Sequence, residues 1–363
     1  MPRLDGPAKL SGAAQYVDDL RVEGMLHGMT VRAACARGRI TAIEFDPGVN
    51  WEEFVIVRAA GLPGPNQVQF IERDMPVLAQ SQVRYWGEPA LLLAHRSRAA
   101  LRRAVAAVRI HTEPLPAVLD PLAPLAPGQI QHGADNCFKE INMRKGDPAP
   151  VFARAARVVE GEYHTGAQEH VYLEPQGMLA IPLGDGRLEI LGSMQCPYYV
   201  LKALMHALGE PKENLSVRQT TTGGAFGGKE DYPSLLAIHA ALLARAAGAP
   251  VKMIYDRDED LAFTTKRHPA WVRHKTALDE RGRLLAMQIE IVMDAGAYMT
   301  LSPVVLSRGA IHAAGPYACD HVHIHARALL TNTPPNGAFR GFGAPQTLFA
   351  MERHMDRCAR AAG

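Results

Sequence analysis

Thr221-Thr-Gly-Gly-Ala-Phe-Gly-Gly-Lys-Glu230 reads as a backbone built to approach something closely. Four glycines within six positions let the chain take positive φ and turn its N–H groups toward an anion or a metal-bound oxo group. Gly223 to Lys229 also satisfies the phosphate-loop spacing G-x-x-x-x-G-K. The nucleotide reading fails at the next residue. Glu230 stands where a Ser or Thr would hold magnesium, and its carboxylate would repel the phosphates. A plain glycine-rich turn is the remaining alternative.

Outward from this loop, strands and helices alternate. Downstream, Pro233 sits at a helix start, Leu235, Ile238, Leu242 and Ala246 recur on one face, and Gly248 with Pro250 ends the run, which predicts a helix over 233–247. Upstream, Cys196 to Leu208 reads as helical, and Ala156 to His164 and Arg187 to Leu191 as strands. Nearer the N-terminus, Arg39 to Phe45 has period-two character, Phe54 to Val57 and Ala90 to Ala94 are short apolar strands, and Ser97 caps an Ala/Arg-rich helix from Arg98 to Val108. Between these regions Pro114, Pro116, Pro121, Pro124, Pro127 and Gly128 break any periodicity, as in a linker. The expectation is an α+β chain with a small domain over 1–118, a linker over 119–149 and a second domain over 150–363.

Three further stretches carry chemistry. Asn332-Thr-Pro-Pro-Asn-Gly-Ala-Phe-Arg-Gly-Phe-Gly-Ala-Pro-Gln346 is an irregular loop that presents Arg340 between two Phe and leads into a helix through Met351 to Ala361. Arg340 there suits a planar anionic ligand or a cofactor, or it simply pins the loop through backbone carbonyls. In Gly166-Ala-Gln-Glu-His-Val-Tyr-Leu-Glu-Pro175, three polar side chains follow a strand; a triad built on His170 lacks a G-x-S-x-G elbow, and turn-capping is the plainer reading. His321, His323 and His325 alternate along a strand and share a face, but no nearby carboxylate or Cys set completes a zinc site.

The composition narrows the class. With 39 basic against 37 acidic residues, no charge excess marks a nucleic-acid or membrane-surface binder. Cys35, Cys137, Cys196, Cys319 and Cys358 stand far apart, which fits reduced thiols and gives no clustered thiolates for an iron–sulfur centre. MPRLDGPAKLSGAA has no apolar core of a signal peptide, and no apolar run reaches membrane-spanning length, so a cytoplasmic protein is expected.

Taken in order, these stretches resemble the molybdenum-domain signatures of the xanthine dehydrogenase and aldehyde oxidase family, the molybdenum hydroxylases. Pro7-Ala-Lys-Leu-Ser-Gly-Ala-Ala-Gln-Tyr-Val-Asp-Asp19, Tyr85-Trp-Gly-Glu-Pro-Ala90 and Glu113-Pro-Leu-Pro-Ala117 resemble the markers of that family's small hammerhead-type domain. The resemblance implies a hammerhead-type α/β domain followed by the first of two molybdopterin-binding domains. Two small-residue swaps depart from the pattern, Ala225 and Ala344, where the family more often has Gly.

By that resemblance, Gln168, Gly224, Ala225, Phe226, Gly227 and Arg340 are expected to hold a molybdenum–molybdopterin cofactor, with the dinucleotide form admitted. Gln168, Phe226 and Arg340 would lie around the metal, which the pterin holds. Glu230, Arg308 and Phe342 resemble the walls of a purine pocket, with Glu230 and Arg308 acting in catalysis; Arg308 is placed mainly by its spacing from Arg340. The implied reaction is hydroxylation of xanthine or hypoxanthine with oxygen from water. Nicotinate-type and aldehyde-oxidising hydroxylases, or a non-catalytic assembly half, are the alternatives. A second molybdopterin-domain polypeptide bearing the general-base glutamate, an iron–sulfur subunit and an FAD subunit are the implied partners.

Overall fold

A computed structural model describes residues 3–363. Met1 and Pro2, which open the N-terminal stretch read above, lie outside the described residues. The chain forms two compact units, neither continuous in sequence. The first joins the residues up to Leu115 with His170–Thr264, and the second joins Pro116–Glu169 with Thr265–Gly363.

In the first unit a seven-stranded mixed sheet runs in the order Leu215–Gln219, Leu188–Gly192, Gly177–Pro182, Val251–Ile254, Leu26–Arg32, Pro89–His95, Val55–Arg58. Val251–Ile254 lies parallel to Leu26–Arg32 and antiparallel to Gly177–Pro182, and so ties the N-terminal strands to the later ones. Ala90 to Ala94 are fully buried, which explains why this strand is apolar at every position instead of alternating. The helix Arg98–Ala106 is capped by the Ser97 hydroxyl, which accepts from the Ala100 N–H. It ends two residues earlier than expected, because Val108 pairs with Phe45 in a small second sheet. The helix Pro233–Ala247 ends as expected at Gly248, with φ 59°. It is buried all round from Pro233 to Ala244, more than its single apolar stripe implies.

The second unit is a five-stranded sheet in the order Cys137–Lys145, His321–Leu329, Leu284–Asp294, Ala270–Leu278, Arg157–Thr165. The stretch 119–149, expected to be a linker, therefore contributes the strand Cys137–Lys145, antiparallel to His321–Leu329. Charged residues on most of its exposed positions hide its strand pattern. The helices Ser302–His312 and Ala344–Ala362 cover one face of this sheet, around Val272, Ile289, Met293, Leu306 and Met351. The second helix starts seven residues before Met351, at Ala344. The three alternating histidines each find a different partner: His321 accepts from the Asp147 N–H, His323 meets Asn142, and His325 meets Glu140. All five cysteines are free thiols.

Candidate functional site

The division between the units falls inside the third motif. Gln168 and Glu169 belong to the second unit, and His170 to Pro175 to the first. The first unit also carries Gly224, Ala225, Phe226, Gly227 and Glu230; the second carries Arg308, Arg340 and Phe342.

In the first unit the glycine loop follows the strand Leu215–Gln219. Gly224 and Gly227 take φ of 94° and 105°, and Phe226 takes 53°. A Phe in the left-handed region costs about 1–3 kcal/mol and persists only where its surroundings impose it. What imposes it is a set of bonds on both sides. The Gly223 N–H donates to Glu174 Oε2 (2.7 Å) and the Gly227 N–H to Gln195 Oε1 (2.9 Å). A Cβ on Gly228 would stand 2.7 Å from the ring nitrogen of His170, so this position admits only glycine at its present approach. The N–H groups of Gly224, Ala225 and Phe226 have no acceptor among the described residues. Three adjacent donors held in that curve fit an anionic or oxo-bearing ligand. The Phe226 ring is half exposed.

Lys229 does not face a ligand. Its side chain is fully buried and turned inward. Nζ donates to the Glu174 carbonyl (2.6 Å), to Glu174 Oε2 (3.0 Å) and to Ser193 Oγ (2.9 Å). The ammonium also lies 4.6 Å from the centre of the Tyr172 ring. Desolvation lowers its pKa despite the Glu174 carboxylate. A lysine spent on the loop's own support cannot reach a phosphate, a second reason against the nucleotide reading. Tyr172 in turn donates to Asp260 (2.7 Å), and Gln176 donates to the Gly228 carbonyl (2.6 Å), which fixes the segment after His170 to the loop. Glu230 is half-buried, and its N–H donates to the Gly227 carbonyl at 3.0 Å. Burial first, and then the Glu230 and Asp231 carboxylates, push the neighbouring Cys196 thiol up to about 11.

In the second unit a residue that sequence reasoning missed joins two of the motifs. Arg267 pairs with Gln168 through a short backbone bridge, and its side chain forks three ways. Nε donates to Gln168 Oε1 (3.0 Å), one terminal nitrogen to the Arg340 carbonyl (3.0 Å), and the other to Gln346 Oε1 (3.4 Å). The guanidinium lies 3.9 Å from the centre of the Phe339 ring. Beside it, Lys266 pairs with Glu169 (2.6 Å) and bridges to Asn336. The run Lys266-Arg267-His268-Pro269 just before a strand was the available signal, but a basic cluster reads first as a solvated face.

The arginine loop is pinned along its first residues. The Asn332 N–H donates to the Val118 carbonyl (2.6 Å), and Asn336 Nδ2 donates to the Asp294 carbonyl (2.9 Å). Phe342 takes φ of 48°, and the Arg308 guanidinium lies 5.6 Å from the centre of its ring. Arg308 comes from the helix Ser302–His312. A Cβ on Gly343 would stand 2.3 Å from the Val305 carbonyl, so the loop meets that helix backbone to backbone. Arg308 and Arg340 are exposed, and neither forms an ion pair among the described residues. The second unit thus links Gln168 to the Arg340 backbone through Arg267, and sets Arg308 beside Phe342.

The family "Molybdopterin cofactor-binding domain" matches residues 130–363, and "Aldehyde oxidase and xanthine dehydrogenase, a/b hammerhead domain" matches 11–116. The chain is 33% identical to a probable xanthine dehydrogenase subunit of Bacillus subtilis over 99% of its length and 48% of that protein's. It is 31% identical to the nicotinate dehydrogenase large molybdopterin subunit of Eubacterium barkeri, over 99% of its own length and 85% of that subunit. Against the xanthine dehydrogenase/oxidase of Felis catus it spans 27% of the relative's length. The aldehyde oxidoreductase from Desulfovibrio gigas superposes with a TM-score of 0.92 at 29% identity, over all of this chain and 42% of that one. In order, then, the chain carries a hammerhead domain and a molybdopterin-binding domain, and it belongs to the xanthine dehydrogenase and aldehyde oxidase family of molybdenum oxidoreductases.

Proposed function

We propose that this chain supplies the first molybdopterin-binding part of a hydroxylase acting on a purine such as xanthine or hypoxanthine. The observation that carries the reading is Arg308, a cation without an ion-pair partner among the described residues, held over the Phe342 ring at 5.6 Å. An aromatic wall with a guanidinium beside it suits a flat heterocycle on which negative charge develops. The molybdenum cofactor, when bound, supplies the oxygen transfer and the two-electron oxidation.

This chain's residues then have separate roles. In the first unit the N–H groups of Gly224, Ala225 and Phe226 would hold anionic or oxo atoms of the cofactor; in the second, Gln168 and Arg340 would do so. Phe342 keeps the substrate ring flat. Arg308 stabilises the charge that builds on the ring during attack, an effect of about 3–4 kcal/mol per well-placed donor. Glu230 shares a proton with a ring nitrogen. On this reading the base glutamate, the iron–sulfur clusters and the flavin lie outside these 363 residues, on partner polypeptides or on further domains.

A second reading is a nicotinate-type hydroxylase. What favours it is the 31% identity to the nicotinate dehydrogenase large molybdopterin subunit over 99% of this chain. Steady-state turnover of the assembled enzyme on xanthine, hypoxanthine, nicotinate and a simple aldehyde separates the two. For a purine enzyme, Arg308→Met lowers kcat about a hundredfold with a small change in KM, because the cation acts in the transition state. Glu230→Val weakens purines and spares the aldehyde, which offers no ring nitrogen. Full xanthine activity in both variants, or a wild type that oxidises nicotinate and ignores purines, defeats the purine reading.

A further inference from the structure

Arg267 is a buried cation whose direct partners are all neutral, although the Lys266–Glu169 ion pair stands beside it. It is 8% exposed, and its contacts are two side-chain amide oxygens, one backbone carbonyl and the face of Phe339. It forms no ion pair among the described residues. A buried charge is normally paired, and one bonded only to dipoles calls for an anion nearby. Desolvation accordingly lowers its pKa.

The fork also settles an orientation. A guanidinium has donors only, so the Gln168 atom facing Nε at 3.0 Å is the carbonyl oxygen. The Gln168 amide nitrogen is left on the other side. It belongs to an exposed residue and donates to no described atom. A flipped amide would set N–H against N–H beside the buried charge. The same side chain draws the Arg340 carbonyl inward at 3.0 Å, while the Arg340 side chain stays exposed.

We propose that Arg267 is a positioning residue that turns the acceptor ends of Gln168 and Arg340 inward, so that the Gln168 N–H₂ and the Arg340 guanidinium are the groups presented to the molybdenum cofactor. This rests on the reading that Gln168 and Arg340 lie against that cofactor. Arg267 adds its own positive charge behind them, suited to an electron-rich, oxo-bearing ligand. Glutamine is then used here as a donor, and its carbonyl is not available to the ligand.

The test uses enzyme assembled in molybdenum-replete cells, as wild type, Arg267→Met, Arg267→Lys, Gln168→Ala and the Arg267→Met/Gln168→Ala double variant. Molybdenum and pterin per chain are measured, with the Mo(V) paramagnetic resonance spectrum and the thermal midpoint. Arg267→Met is expected to lose about tenfold or more in cofactor retention, as for other residues that orient metal-site groups. Its retained signal should shift as that of Gln168→Ala does, with the midpoint within about 4 °C of wild type. The double variant should be no worse than Gln168→Ala alone. Arg267→Lys, which keeps the charge and loses the fork, should behave like Arg267→Met, and it decides the question if Arg267→Met does not fold. Losses that multiply in the double variant, a wild-type spectrum in Arg267→Met, or full rescue by Lys would each overturn the proposal. A wild type free of molybdopterin would overturn the cofactor reading instead, and that outcome is visible before any variant is compared.

Discussion

At the scale of single residues, Lys229 shows how a familiar spacing is put to another use. The phosphate-loop reading needs its ammonium outside; the fold places it fully inside, with Glu174 and Ser193 as partners. Glu174 is the hub, because Oε2 also accepts from Ser193 (2.6 Å) and from the Gly223 N–H (2.7 Å). Removing the lysine leaves a largely buried carboxylate with its charge uncompensated. Lys229→Met should therefore cost about 3–5 kcal/mol in urea unfolding, the range for breaking one side of a buried pair. The double variant Lys229→Met/Glu174→Gln should recover part of that loss, because the stranded charge goes with it. If Lys229→Met were neutral, the loop would be held by its backbone bonds alone. Nothing in the glycine spacing distinguishes an inward from an outward lysine; the deciding residues, Glu174 and Ser193, stand 55 and 36 positions away.

At the scale of elements, boundaries followed local chemistry where it was decisive. Ser97 starts one helix and Gly248 stops another because capping is a property of neighbouring residues. Long-range pairing was less legible. The strand Ala270–Leu278 and the helix Ala344–Ala362 meet around two histidines whose roles no local pattern announces. His274 and His354 stack with ring centres 4.9 Å apart, and His354 joins Tyr163 and Thr276, each at 2.9 Å. Burial first, then the neighbouring His354, lowers His274 to about 3. Burial first, then Arg357, lowers His354 to about 4. Both folded values lie below the ordinary 6.5, so the unfolded chain binds the protons. Their contribution to stability is fully present above about pH 6.5 and is lost as pH falls toward the folded values. Each ring should cost about 2 kcal/mol at pH 5 relative to pH 7.5. In His354→Gln the drop in urea stability between those pH values should shrink by about that amount. An unchanged pH dependence would mean that the helix does not rest on a neutral His354.

At the scale of the whole molecule, two compact units were not visible in a linear reading, because each is assembled from separated stretches. Val251–Ile254 pairs with Leu26–Arg32 across more than two hundred residues, and Cys137–Lys145 pairs with His321–Leu329 at a similar distance. The family was legible all the same, since its markers are loops read residue by residue. The remaining question is what the chain does alone. It spans 48% of the Bacillus subtilis relative and 27% of the Felis catus one, so much of what those proteins contain has no counterpart in these 363 residues. On the proposed mechanism, Gln168, the loop around Phe226, and Arg340 bind, whereas the proton-abstracting base lies outside these 363 residues. Binding and turnover should then separate. The 363 residues expressed alone should show no xanthine oxidation with an electron-accepting dye, and co-expression with a polypeptide corresponding to the rest of those relatives should restore it. Removing a general base alone typically costs about 10²- to 10⁴-fold, so residual turnover of the single chain should lie at least about a hundredfold below the assembled enzyme. Dye reduction by the single chain at the assembled rate would place the base within these residues and would make Glu230 a candidate for that role.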